Sequence, residues 1–235
     1  MYRRLVNTYG ILEDQLTVLP TGVDTTLFER ADGLSIRQHR GWGDDVVMIS
    51  VGRLAPEKNF KMLLDAGIRS MQTNERLRLA FVGDGSRRDE LEKIAQKAGF
   101  GERVDFIGRV PFTEIPSYLK AADLFGFAST TETQGLVTME AMTVGLPVVA
   151  VDAIGTRDVV ENGKEGLLVG DASESLAAAI CQLLDNEEMM QHFMEASLQK
   201  SKEFDIRLQV KKLEDVYKQA IEDKMANQYV VVPKM

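Results

Sequence analysis

Two carboxylates eight positions apart, Glu132 and Glu140, lie in the stretch Ser129-Thr130-Thr131-Glu132-Thr133-Gln134-Gly135-Leu136-Val137-Thr138-Met139-Glu140-Ala141-Met142. The stretch reads as a strand end, a turn and a helix. Paired carboxylates could do acid/base work on a glycosidic bond, or accept hydrogen bonds from a hydroxyl-rich ligand. Upstream, Gly52-Arg53 directly follows a β-branched run, and Lys58 stands five residues further on, at the entry to a helical pattern. Two cations beside a helix N-terminus suit a diphosphate, because unsatisfied N–H groups, the macrodipole and the cations all favour a multiply charged anion. Gly135 would let such a ligand approach the backbone closely. Each feature has a plainer explanation in isolation: surface charges at Arg53 and Lys58, a helix-start charge at Glu132, a solvated face at Glu140. A nucleotide-sugar site accounts for all of them together.

Other patterns narrow the chemistry. Gly83-Asp84-Gly85 ends a second apolar run, but Arg88 stands where a dinucleotide fingerprint needs its third glycine, which disfavours a hydride-transfer cofactor. The two glycines could admit a ligand or simply make a tight turn. No Asp-x-Asp occurs, and His39 and His192 are isolated, so the usual cation ligands are missing and no metal or other cofactor is expected. The single cysteine, Cys181, reads as a small helix residue.

The elements that must position these residues alternate regularly. Strands are expected at Val46–Val51, Leu77–Val82, Val104–Ile107, Leu124–Ala128, Pro147–Val151 and Gly166–Val169. Helical patterns fall between them, at Lys58–Met71, Arg87–Ala98, Ile115–Ala122 and Gly135–Val144. A further helix is expected to start at Asp171-Ala172-Ser173-Glu174 with a capping-box-like signal. Six strands joined by right-handed crossovers predict an α/β fold, a doubly wound parallel sheet whose ligand site lies outside the carboxyl ends of the strands. All the unusual residues fall at those ends. Leu16–Leu19 reads as a short extra strand. Residues 30–45, with Gly33, Gly41 and Gly43, read as a mobile surface loop holding His39 and Trp42.

The chain has 235 residues, 44% hydrophobic and 27% charged, enough for a sizeable core. A net charge of −8 leaves no positive field for a phosphate backbone, so nucleic acid is excluded as a general partner. No apolar stretch reaches the length of a membrane span, and Met1-Tyr2-Arg3-Arg4-Leu5-Val6-Asn7-Thr8 lacks the apolar region of a secretory signal. A cytoplasmic location is the expectation.

In family order, the chain carries Pro20-Thr21-Gly22-Val23-Asp24, Val51-Gly52-Arg53 with Lys58, Val82-Gly83-Asp84-Gly85, the Glu132/Glu140 pair, Gly145-Leu146-Pro147-Val148-Val149 and the Gly163–Val169 segment. In these it resembles the carboxyl-terminal domain of the family 4 retaining glycosyltransferases, enzymes of the GT-B fold with two Rossmann-like domains facing across a cleft. The resemblance covers roughly residues 15 to 190. It implies that Arg53 and Lys58 hold a donor diphosphate, that Glu132 contacts sugar hydroxyls as the third catalytic residue, and that Glu140 contacts the ribose. It further implies donor contacts at Gly52, Gly83 and Gly85, at Arg109 and Val110 beside the base, and at Thr133, Gln134, Gly135, Leu136 and Val137 along sugar and phosphate. The family's usual Phe-Gly after the first Glu is replaced by Gln134-Gly135, a variant similar to lipid glucosyltransferases acting on diacylglycerol.

Under this resemblance residues 1–20 are a crossover segment from a missing amino-terminal domain, 21–204 the Rossmann-like donor domain, and 205–235 a carboxyl-terminal helix and tail. The implied reaction moves a sugar from a nucleoside-diphosphate sugar to an acceptor hydroxyl of a lipid or glycan with retention of configuration. The acceptor domain would be supplied in cis or in trans, and any membrane association would come through it. The isolated chain would bind nucleotide without turnover. Two alternatives stay open: a non-catalytic nucleotide-sugar binding subunit, and half of a sugar-nucleotide epimerase.

Overall fold

A computed structural model describes residues 2–226, with side chains described from residue 5. The expected strands are present and form one parallel sheet: β1 (Val46–Val51), β2 (Leu77–Val82), β3 (Val104–Gly108), β4 (Leu124–Phe127), β5 (Val148–Val151) and β6 (Gly166–Val169), in the spatial order β3-β2-β1-β4-β5-β6. The chain starts at the sheet centre, winds outward to β3, then crosses back to β4 and winds out the other way. Between β1 and β4 the connections leave in opposite directions, which opens the crevice where doubly wound folds bind ligands.

Ten α-helices flank the sheet and its ends among the described residues: α1 (Tyr2–Tyr9), α2 (Thr25–Glu29), α3 (Gly33–Arg40), α4 (Phe60–Met71), α5 (Arg88–Lys97), α6 (Ile115–Lys120), α7 (Leu136–Thr143), α8 (Ser173–Leu184), α9 (Glu187–Ser201) and α10 (Ile206–Met225). Period-two alternation sorts the strand side chains onto two faces. Met48, Leu77, Leu79, Phe81, Leu124, Val149 and Val151 pack with Leu63 and Leu64 of α4, Leu91 of α5 and Leu176 and Ile180 of α8. On the other face Val47, Ile49, Val51, Ala80, Phe125 and Val148 pack with Leu119 of α6 and Met139 and Met142 of α7. Both faces are covered, which is why the strands read as unbroken apolar runs rather than alternating ones.

Three local expectations are corrected. Leu16–Leu19 is not a strand: the segment pairs with no neighbour, and the only bridge nearby joins Val23 to Asp205. Residues 30–45 are not a loop but contain α3. Asp32 caps its first turn by accepting from the Ser35 N–H at 3.1 Å, Gly41 closes its last, and Trp42 is fully buried with its indole N–H donating to Asp105 at 2.8 Å. Glycines were read as mobility where they serve as helix start and stop. His39 is exposed on this helix. The capping box at α8 is also absent: Ala172 occupies the cap, and Glu174 pairs with Arg69 at 2.6 Å instead.

The segments on either side of the sheet-forming region join at Val23 and Asp205. Val23 N–H donates to Phe204 O at 2.7 Å and Ile206 N–H to Val23 O at 2.9 Å, while Asp205 caps α10 by accepting from Arg207 N–H at 2.8 Å. The Asp205 carboxyl is held far below its usual range by Arg207 and by the Thr25 hydroxyl. Along α10, Ile206, Leu208, Val210, Leu213, Tyr217 and Ile221 are exposed. The tail at 227–235 lies outside the described residues.

Candidate functional site

The carboxyl ends of β1 and β4 bring Lys58 and Glu132 together. After β1 the chain makes a tight 3₁₀ turn, Pro56–Lys58, before α4, so the helix expected from Lys58 is split at Asn59. Asn59 adopts left-handed backbone at φ 52°, the one non-glycine residue at positive φ among those described. Asn tolerates this conformation better than other side-chain-bearing residues. After β4, residues 128–135 turn into α7, with Gly135 at φ 67° as its cap. Across this gap Lys58 Nζ donates to Glu132 Oε2 at 2.7 Å, with side-chain exposures of 27% and 18%. The ammonium also lies 5.9 Å from the centre of the Phe127 ring, within range of a cation–π attraction.

Burial would raise the Glu132 pKa. The hydrogen bond and charge of Lys58, with the N–H groups of Thr133 and Gln134, outweigh it, so the carboxyl stays below its usual range. Glu140, in the second turn of α7, is the opposite case. It is 5% exposed, forms no hydrogen bond among the described residues, and is pushed up to about 7 by desolvation. The plain reading of a solvated face is therefore wrong for Glu140. A carboxylate buried without a donor lacks the partners such groups usually have.

Arg53 is placed at the same strand end but is not joined to this pair. Its side chain is 71% exposed and pairs with Glu57, one helical turn on. At Gly52, on the β1 end, a Cβ would make ordinary contact with the edge of the Phe60 ring, 3.7 Å away. Arg109 is exposed and Val110 half-buried on the connection after β3. Thr133 and Gln134 are exposed, and the Gln134 amide oxygen accepts from the Thr21 hydroxyl at 2.5 Å, tying the segment before α2 to the turn. Leu136 and Val137 open α7, half-buried and packed against the core.

Gly83 and Gly85 turn out to serve the fold. A Cβ on Gly83 would lie 1.9 Å from Gly52 O, and one on Gly85 2.4 Å from Leu54 O. Leu54 N–H donates to Asp84 O at 3.1 Å and Arg87 N–H to Leu54 O at 3.0 Å. These close approaches between the β1 and β2 ends leave no room for a side chain at either glycine. Arg88 is tied to the neighbouring strand end, donating to Phe106 O at 2.8 Å and to Glu92 at 2.7 Å.

Residues not singled out from sequence complete the site. Glu57 O accepts from Ser129 Oγ at 3.2 Å and from Thr131 Oγ1 at 3.3 Å, and Ser129 is fully buried. The run of three hydroxyl residues after a strand was the available signal. A separate concavity of about 670 Å³ is lined by Arg37, Asp44, Asp45, Arg76 and Asp123 at the opposite end of the strands. Its polar groups are already engaged: Arg37 bonds Ala121 O and Asp123, and Arg76 bonds Asp44 O. The first is a structural knot, and the strand-end gap holding Lys58 and Glu132 is the better chemical site. Among the described residues no cluster of three or more His, Cys, Asp or Glu side chains could hold a metal ion, and no helix is long and apolar enough to cross a membrane.

Comparison with known proteins places this geometry in a family. Residues 34–200 match the model for glycosyl transferases group 1. D-inositol 3-phosphate glycosyltransferase 2 of Catenulispora acidiphila is 32% identical over 236 residues, covering 96% of this chain and 55% of that protein. Alpha-monoglucosyldiacylglycerol synthase of Streptococcus pneumoniae is 28% identical over 202 residues, 83% of this chain and 46% of that protein. The chain thus spans about half the length of the curated relatives it matches. Among solved structures, Anabaena HepE, crystallised in complex with UDP and with UDP-glucose, superposes with a TM-score of 0.81 for the UDP complex, at 27% identity, over 90% of this chain and 60% of that one. The GT-B glycosyltransferase fold expected from the sequence is the one its neighbours share. With the family model covering most of the sheet and both carboxylates of the site, the chain belongs to the group 1 glycosyl transferases.

Proposed function

We propose that this chain is the donor-binding domain of a retaining glycosyltransferase that moves a sugar from a nucleoside-diphosphate sugar to an acceptor hydroxyl. The observation that carries the reading is the Lys58–Glu132 pair at the crevice between β1 and β4. A cation and a carboxylate held 2.7 Å apart present opposite chemistry to one ligand. A diphosphate competes for the ammonium, and as it takes Lys58 it releases the Glu132 oxygens to accept sugar hydroxyls. Arg53, with only an exposed partner in Glu57, is free to swing onto a phosphate oxygen.

When the bond from the anomeric carbon to the diphosphate breaks, negative charge grows on the leaving phosphate. Lys58, Arg53 and the N–H groups opening α7 would stabilise it; single donors of this kind in other enzymes contribute about 10²–10³ in rate. Glu140 offers a buried, unpartnered carboxyl for the ribose hydroxyls of the donor. No metal is needed in this scheme. The UDP complexes of Anabaena HepE support a nucleoside diphosphate as leaving group. The half-length match to the relatives supports acceptor contacts from a facing domain, in cis or in trans, with residues 1–20 as the crossover toward it.

The test is calorimetric titration with uridine, UDP and UDP-glucose, followed by a turnover assay. Binding of UDP well above uridine, with no transfer by this chain alone, is the expected result. Absence of any nucleotide binding at millimolar concentration, where about −4 kcal/mol registers, would overturn the reading.

A further inference from the structure

We infer that Ser129 and Thr131 are positioning residues that clasp the Lys58 turn to the Glu132 turn and so set the spacing of the phosphate-binding cation and the sugar-binding carboxylate; this rests on the function proposed above. The two turns come from strands β1 and β4, which share only the short register Met48–Leu124 and Ile49–Phe125. Beyond that register no ladder hydrogen bond holds them together. Besides the Lys58–Glu132 bond itself, the turns are joined at one backbone acceptor, the Glu57 carbonyl, within reach of Ser129 Oγ at 3.2 Å and Thr131 Oγ1 at 3.3 Å. The two hydroxyls also lie 3.4 Å from each other, and the Glu57 peptide they hold is the one that leads into Lys58.

The other side of Lys58 is fixed as well. Its own N–H donates to Ala55 O at 3.0 Å, and Asn59 N–H to Pro56 O at 3.1 Å, closing the 3₁₀ turn, while the left-handed Asn59 redirects the chain into α4. Met62 N–H and Leu63 N–H then start the helix on Asn59 O. The Lys58 backbone is therefore anchored from both neighbours, and its side chain runs past Phe127 to Glu132. A long, flexible lysine normally loses side-chain entropy on being ordered by a ligand. Here the clasp has ordered it beforehand, in the manner that preorganisation raises affinity without new contacts.

The experiment compares the wild-type chain with Thr131→Val, Thr131→Ser and the double variant Ser129→Ala/Thr131→Val. Thr131 is exposed, so its variants leave the core intact even if loss of the buried Ser129 hydroxyl lowers stability. Two readouts are used. Titration with UDP and uridine should show UDP affinity falling about tenfold in the double variant, equivalent to about 1.4 kcal/mol, with uridine unchanged and Thr131→Ser as wild type. Reductive ¹³C-methylation, with the Lys58 signal assigned by its loss in Lys58→Arg, should show an acid inflection from Glu132 below the usual carboxylate range, moving up toward that range in Thr131→Val and in the double variant. Wild-type UDP affinity together with an unmoved inflection in the double variant would overturn the clasp. If the wild-type chain itself does not prefer UDP over uridine, the proposed function falls, and the Lys58 inflection still decides the clasp by itself.

Discussion

Glu140→Gln should make the protein more stable in mild alkali while weakening its hold on a nucleotide. In the folded chain the Glu140 carboxyl is raised from 4.5 to about 7 by burial. An acid whose folded pKa exceeds its unfolded one binds more protons in the native state, so stability is greatest below about pH 4.5, falls as pH rises through about 7, and is flat above. At about 1.4 kcal/mol per pKa unit, ionising Glu140 costs about 3 kcal/mol at pH 8 and under about 1 kcal/mol at pH 5. Glutamine cannot ionise, and the cost of burying its amide does not change with pH. The difference in unfolding free energy, variant minus wild type, should therefore be about 2–3 kcal/mol more favourable to the variant at pH 8 than at pH 5. Urea unfolding at four pH values from 5 to 8 measures it. Curves that run parallel across this range would refute the burial argument, whatever the variant does to binding. The same variant should lose nucleotide affinity, because an amide oxygen is a weaker acceptor for ribose hydroxyls than a carboxylate.

Arg53→Ala and Lys58→Ala should each weaken UDP binding by about 1.5–3 kcal/mol while leaving uridine unaffected, since both act on phosphate oxygens; equal losses for the two ligands would place these side chains away from the phosphates. Gly83→Ala, whose Cβ would meet Gly52 O at 1.9 Å, should cost about 1–3 kcal/mol of stability from overpacking, read as a lowered urea midpoint; an unchanged midpoint would return Gly83 to the role of ligand approach. Trp42→Ala should cost about 3–5 kcal/mol, because the indole is buried and bonds Asp105; a change within about 0.5 kcal/mol, the range usual for surface positions, would restore the mobile-loop reading of residues 30–45.

The sheet was legible because its strands are buried on both faces: Val46–Val51, Leu77–Val82 and Val148–Val151 are runs that solvent would not tolerate, and Gly166–Val169 stands at its expected bounds. The segments misread are those where one residue type serves two purposes. Gly33 and Gly41 bound a helix where they suggested a loop, and Leu16–Leu19 has strand-forming side chains but pairs with no strand. Propensity is local, and pairing partners are supplied by the rest of the chain.

For the site, residue types and order along the chain were enough to bring Arg53, Lys58, Glu132 and Glu140 to the carboxyl ends of parallel strands, because right-handed crossovers leave few alternatives. What tertiary structure alone decided is who touches whom. Lys58, and not Arg53, meets Glu132, since strands β1 and β4 are neighbours in space though 74 positions separate the two residues. Glu140 is buried rather than solvated, since α7 is covered on several sides. Gly83 and Gly85 lie against the backbone of Gly52 and Leu54, which leaves no room for a side chain. Sequence encodes which groups exist and on which element. The distances that give them their charge state and their partners arise only when separate elements pack, because electrostatic and hydrogen-bond energies depend on ångström separations and on excluded water that no spacing along the chain contains.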